Sequence, residues 1–81
     1  MEFTVRLFGP SADAAGAPSV TVTVEGEVTC GLLRRVLSQR YPSLQPMVKA
    51  GRLAVNHAFA GDAQRVRPSD EIALIAMVSG G

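Results

Sequence analysis

Few residues in this sequence are of a type that does chemistry, and they stand far apart. Cys30 is the sole cysteine. Its position predicts the first turn of a helix, where free N–H groups and the helix dipole lower a thiol's pKa. That is the setting of a reactive thiol, but no acid–base partner lies near it in sequence. A small apolar residue turned into a core is the plainer reading. His57 is the sole histidine, so no histidine-based metal set can form. It reads as a solvent-facing strand residue, with an orienting role as the alternative. Asp62, Asp70, Glu71 and the pair Glu25 and Glu27 fall at turns and strand ends, where solvated carboxylates are ordinary. The glycines form neither GxGxxG nor GxxxxGK[ST], so no phosphate loop is expected. Arg34, Arg35 and Arg40 read as a solvated helical face, and secondarily as a docking surface. No metal site and no bound cofactor are expected.

The remaining candidate is Gly80-Gly81 at the chain end. Two glycines offer backbone and a carboxylate with no side chain, which makes residues 79–81 a flexible tail able to thread a narrow tunnel. A carboxylate is a poor electrophile, so acyl chemistry on it needs activation, for instance as an acyl-adenylate. The alternative is an ordinary small-residue terminus or an expression scar.

The rest of the chain must position that end. At 81 residues and 8.5 kDa it is one domain, 1–81, burying roughly 60% of its unfolded surface. That is too small for a self-contained Rossmann or barrel enzyme. Eight Lys+Arg against seven Asp+Glu leave a formal charge of +1, which argues against a nucleic-acid partner. No apolar run approaches the ~20 residues of a membrane span, and the start lacks a signal-like pattern. A cytoplasmic, membrane-free domain is expected.

Residues 2–8 alternate, with Phe3, Val5 and Leu7 on one face and Glu2, Thr4 and Arg6 on the other, predicting a half-buried strand. Phe8 interrupts the polar face. Gly9-Pro10-Ser11-Ala12 and Gly16-Ala17-Pro18 bracket an expected loop. Residues 19–25 alternate again with Val20, Val22 and Val24 inward. Thr29 is a good N-cap for a helix carrying the stripe Leu32, Leu33, Val36 and Leu37 and stopping before Pro42. A short helical turn is expected within 43–49 and a strand over 53–57. The segment 63–68 reads as irregular with a short extended stretch. Residues 71–78 are the most apolar run and predict a central strand buried on both faces, beside the first. The order β-β-α-β-β fits an α+β domain: a mixed sheet of about four to five strands on one main helix.

These features resemble the β-grasp (ubiquitin-like) sulfur carriers of the MoaD/ThiS group over essentially the whole chain. The resemblance rests on Leu7-Phe8, the helix 29–40, Leu53-Ala54-Val55-Asn56, Pro68-Ser69-Asp70-Glu71-Ile72 and, most specifically, Val78-Ser79-Gly80-Gly81. It implies that an ATP-dependent adenylating enzyme activates Gly81 and that a sulfur donor converts it to a thiocarboxylate. It implies further that the tail, with Gly80 as its flexible joint, delivers sulfur to a pterin precursor held by the large subunit of molybdopterin synthase. The chain would then be the small subunit of a heterotetramer in molybdenum cofactor biosynthesis, not catalytic alone. The resemblance also gives Phe8 a purpose. By alternation Ile75 points to the same open face, and Phe59 can join them as a docking patch for both partners. Met77, Val78 and Ser79 extend that contact along the tail. One departure is Ile75-Ala76-Met77, where the molybdopterin branch often has an aromatic followed by prolines. A carrier for thiamin, cysteine or another thio-cofactor pathway, or a protein modifier joined through Gly81, remains the alternative.

Overall fold

The computed structural model describes residues 1–76. Strand β1, Glu2–Leu7, buries every second residue, and its inward side chains Phe3, Val5 and Leu7 lie in the core. Helix α1, Pro10–Ala15, follows where a loop was expected. Proline and glycine signalled a break, but here they bound a helix. Pro10 occupies its first turn, where a missing N–H costs nothing. Gly16, at φ 69°, closes the far end, and Ala17 N–H donates to Ala12 O at 3.1 Å. The intervening Ser-Ala-Asp-Ala-Ala contains nothing that opposes a helix.

Strand β2, Ser19–Thr23, pairs antiparallel with β1, and Val20 and Val22 face the same core. Two-residue β3, Val28–Thr29, leads into α2, Cys30–Arg40. Thr29 caps α2 as its sequence predicts, the Leu32 N–H donating to Thr29 Oγ1 at 3.2 Å. Leu33 and Leu37 are fully buried beneath the sheet, each such side chain contributing about 1.5–3 kcal/mol, while Leu32 and Val36 flank them half-buried. A 3₁₀ turn, Pro42–Leu44, and α3, Gln45–Ala50, add Leu44 and Val48 to the core.

Strand β4, Arg52–Val55, turns tightly into β5, Ala58–Ala60. The expected strand over 53–57 therefore ends two residues early. Asn56 and His57 have φ of 52° and 71°, the positive values of a two-residue primed hairpin turn. His57 is thus a turn residue, a correction to its expected place in a strand. Short β6, Arg65–Val66, pairs with β3 in a two-stranded sheet.

Strand β7, Ile72–Ile75, lies parallel to β1 and antiparallel to β4, at the centre of a five-stranded sheet ordered β2-β1-β7-β4-β5. Its central place beside the first strand follows the sequence reading. Burial on both faces does not. Ile72 and Leu74 are buried in the core, whereas Ala73 and Ile75 remain half-buried on the other side. One helical layer covers one face, and no described residue covers the second.

Candidate functional site

The uncovered face of the sheet is built by strand alternation. Arg6 on β1, Ala73 and Ile75 on β7, Arg52 and Ala54 on β4, and Phe59 on β5 all point to it. Phe8, one residue beyond β1, joins them. Together with His57 and Glu71, six of these side chains (Arg6, Phe8, Ala54, Phe59, Ala73 and Ile75) surround a concavity of about 440 Å³. Phe8 is 50% exposed and Phe59 56%, unusual for side chains of this size and each large enough to matter in an interface. Phe8, Phe59 and Ile75, singled out from sequence, therefore meet around one depression. Met77, Val78, Ser79, Gly80 and Gly81 lie outside the described residues.

Charge surrounds the apolar patch. The Arg6 guanidinium carbon stands 5.8 Å from the Phe8 ring centroid, and that of Arg52 stands 5.9 Å from the Phe59 centroid. Both distances suit a cation over an aromatic face. Glu71 Oε2 is 3.1 Å from His57 Nε2 and 3.8 Å from Arg6 Nη1. These pairs are exposed and contribute little to stability, but they fix where charge sits at the rim.

The turn that aims β7 is held by a small polar clasp. Asn56 Nδ2 donates to Asp70 Oδ1 at 3.1 Å, while Glu71 N–H donates to Asn56 Oδ1 at 2.9 Å and Asn56 N–H to Glu71 O at 2.7 Å. Asp70 Oδ2 accepts the Arg67 N–H at 2.8 Å. That backbone bond, then the Asn56 amide, lowers the Asp70 pKa below its ordinary 3.8. The acidic turn before the last strand is thus a hydrogen-bonded device that orients β7, and the hairpin turn at 56–57 is its other half.

Other sequence candidates fall away from this face. Cys30 is fully buried, and desolvation, helped by the charges of Asp62 and Asp70, raises its pKa above 9.0. The reactive-thiol alternative is overturned and the core reading stands. Arg34 departs from the solvated face expected for it. Its Nη1 donates to Asp62 Oδ1 at 2.9 Å and its Nη2 to Val48 O at 2.6 Å, tying α2 to α3 and to the loop before β6. Arg35 and Arg40 are exposed as expected. No group of three or more metal-ligating side chains occurs among the described residues. Nor is any helix there long and apolar enough to cross a membrane.

Ala54 and Ala73, which form the floor of the concavity, were missed from sequence. Small residues at open-face positions of two strands were the available signal, but their adjacency depends on β7 lying beside β4. Arg6, Arg52, His57 and Glu71 were missed at the rim for the same reason.

The arrangement is an open, partly apolar face beside the end of the central strand, with no acid–base or nucleophilic constellation among the described residues. A model of the ThiS family matches residues 5–81. The chain belongs to the ThiS family. A family relative from Caenorhabditis briggsae, the molybdopterin synthase sulfur carrier subunit, is 34% identical over 95% of this chain and 94% of its own length. Among solved structures, SAMP1 from Haloferax volcanii superposes with a TM-score of 0.84 and 28% identity, covering 100% of both chains. In the protein–protein complex of subunits 1 and 2 of molybdopterin-converting factor from Helicobacter pylori, a chain matches with a TM-score of 0.68 and 23% identity, again over 100% of both. The last is a likeness of fold. The ThiS-family fold is the β-grasp arrangement expected from sequence, a mixed sheet gripping α2.

Proposed function

We propose that this ThiS-family chain is the sulfur carrier, and small subunit, of a molybdopterin synthase. The Gly81 carboxylate attacks the α-phosphate of ATP on an adenylating enzyme and displaces pyrophosphate. Sulfur from a donor at the sulfide level then displaces AMP, leaving a thiocarboxylate. The thiocarboxylate sulfur attacks the pterin precursor on the large subunit, and water then cleaves the acyl–sulfur bond, leaving the sulfur on the pterin and the Gly81 carboxylate free for another round. Adenylation is required because a free carboxylate expels no leaving group, whereas AMP departs readily from the mixed anhydride.

The observation that carries this reading is the match to the sulfur carrier subunit of Caenorhabditis briggsae along nearly the full length of both chains. The geometry supports it. β7 runs through the middle of the sheet and reaches its last residue, Ile75, at the wall of the concavity. A partner seated on Phe8, Phe59 and Ile75 is therefore beside the point from which Met77 to Gly81 continue. The chemistry consumes ATP and a reduced sulfur donor, which supports a cytoplasmic location.

Incubation with the adenylating enzyme, ATP and a sulfur source tests the proposal by mass spectrometry. The C-terminal peptide gains the mass difference between sulfur and oxygen; an unchanged peptide overturns the reading. Capture of the synthase large subunit in preference to a thiazole synthase separates the molybdopterin branch from the thiamin branch.

The likeness to SAMP1, a small archaeal modifier protein, favours one second reading: attachment through Gly81 to lysines of other proteins. Isopeptide-linked products in place of a thiocarboxylate decide for it.

A further inference from the structure

The open face is shaped by side-chain size. The registers Arg6↔Ala73, Ala73↔Ala54 and Ala54↔Phe59 set four residues in one row across β1, β7, β4 and β5. The two central places are alanines, so the floor is low. Phe8 and Phe59 stand exposed at the sides and make the walls high. Each wall carries a cation stacked on its ring, Arg6 on Phe8 and Arg52 on Phe59.

The two cations differ in their partners. Arg6 already shares Glu71 with His57. Arg52 pairs with no carboxylate among the described residues. It also lies directly opposite Ile75 in the β4–β7 register, at the last residue of the central strand. A protein covering this patch strips water from Arg52, and a guanidinium desolvated without an anion is costly. With one face on Phe59, its in-plane N–H groups remain open to a carboxylate in the forked geometry that arginine favours.

Resting on the sulfur-carrier reading for the identity of the partner, we infer that the Ala54–Ala73 depression receives a large apolar side chain of the synthase large subunit. A carboxylate of that subunit beside this side chain pairs with Arg52. The apolar knob supplies contact area on Phe8 and Phe59, and the carboxylate fixes its orientation next to the chain's exit from β7.

Binding of the full chain to the purified large subunit, measured by calorimetry over a range of salt concentrations, tests the inference. Arg52→Glu is expected to weaken binding at least about tenfold and to flatten its salt dependence, with Arg52→Lys intermediate. Ala73→Leu, which raises the floor, weakens binding comparably but keeps the salt dependence. Thermal melts of each variant check the fold. Arg52 is exposed and its replacement leaves the core untouched, so Arg52→Glu remains decisive even where Ala73→Leu lowers stability. Affinity that is independent of salt and unchanged by Arg52→Glu overturns the inference while leaving the carrier reading intact. Self-association that competes with the large subunit overturns it as well. Failure to bind the large subunit at all, together with absence of the thiocarboxylate, removes the carrier reading itself.

Discussion

Cys30 illustrates how burial overrides position. It begins α2, where the helix dipole favours a thiolate by about 0.3–1 kcal/mol. Its side chain is nevertheless fully buried, and desolvation dominates and raises the thiol pKa. In the folded protein Cys30 should react with a thiol reagent only through opening of the structure, so the rate should climb steeply with urea. A native rate equal to that of the unfolded chain contradicts the buried placement. Asp70 is the opposite case, an exposed carboxylate held by an N–H and an amide. Its pKa is lowered on folding, so its contribution is complete above the unfolded value of 3.8 and is lost as pH falls through the lower folded value. Asp70→Asn should therefore reduce the loss of stability between about pH 4 and the acid limit, measured by denaturant unfolding at each pH. An unchanged pH profile counts against the clasp.

Elements were legible where one face is apolar and the spacing regular. Glu2–Leu7, Ser19–Thr23 and Cys30–Arg40 all follow from their periodicity. Three features were not. The helix Pro10–Ala15 hid behind its own boundary residues, which read as breakers. Strand β5 is three residues long, and neither it nor its Asn56-His57 turn carries the usual glycine. The brace from Arg34 to Asp62 spans 28 residues, beyond any local pattern. Close approach of elements is equally invisible in sequence, and Gly51 is its clearest instance. A Cβ there would lie 2.5 Å from Ile75 O and 2.6 Å from Met47 O, both backbone atoms; the first can yield only if Gly51 and β7 part, the second only if the end of α3 distorts. Gly51→Ala should destabilise the protein by about 1–3 kcal/mol in denaturant titrations. Gly61→Ala meets nothing within 4 Å and serves as the control; equal stability of the two variants would show that the α3–β7 contact is looser than described.

At the scale of the whole molecule, the fold and the proposed chemistry rest on different residues. Among the described residues the buried cluster runs from Phe3 to Leu74, and Phe8 does not belong to it. The candidate face was legible in part, through Phe8 and Ile75, because an apolar residue on a polar face stands out from its alternation. Its alanine floor and arginine rim emerged only once strand order was known. The separation predicts two lesions with different consequences. Deleting Gly81 removes a residue without a side chain, so thermal unfolding and large-subunit docking should persist while thiocarboxylate formation stops. Phe8→Asp leaves Gly81 in place and alters an exposed ring outside the core, so stability should stay within about 0.5 kcal/mol. It sets a charge in the apolar wall, however, and both docking and sulfur transfer should fall. Mass spectrometry, binding and thermal melts on the same two variants check this together. A large stability loss from the deletion would tie the chain end to the core, and undiminished docking by Phe8→Asp would remove the open face from the interface.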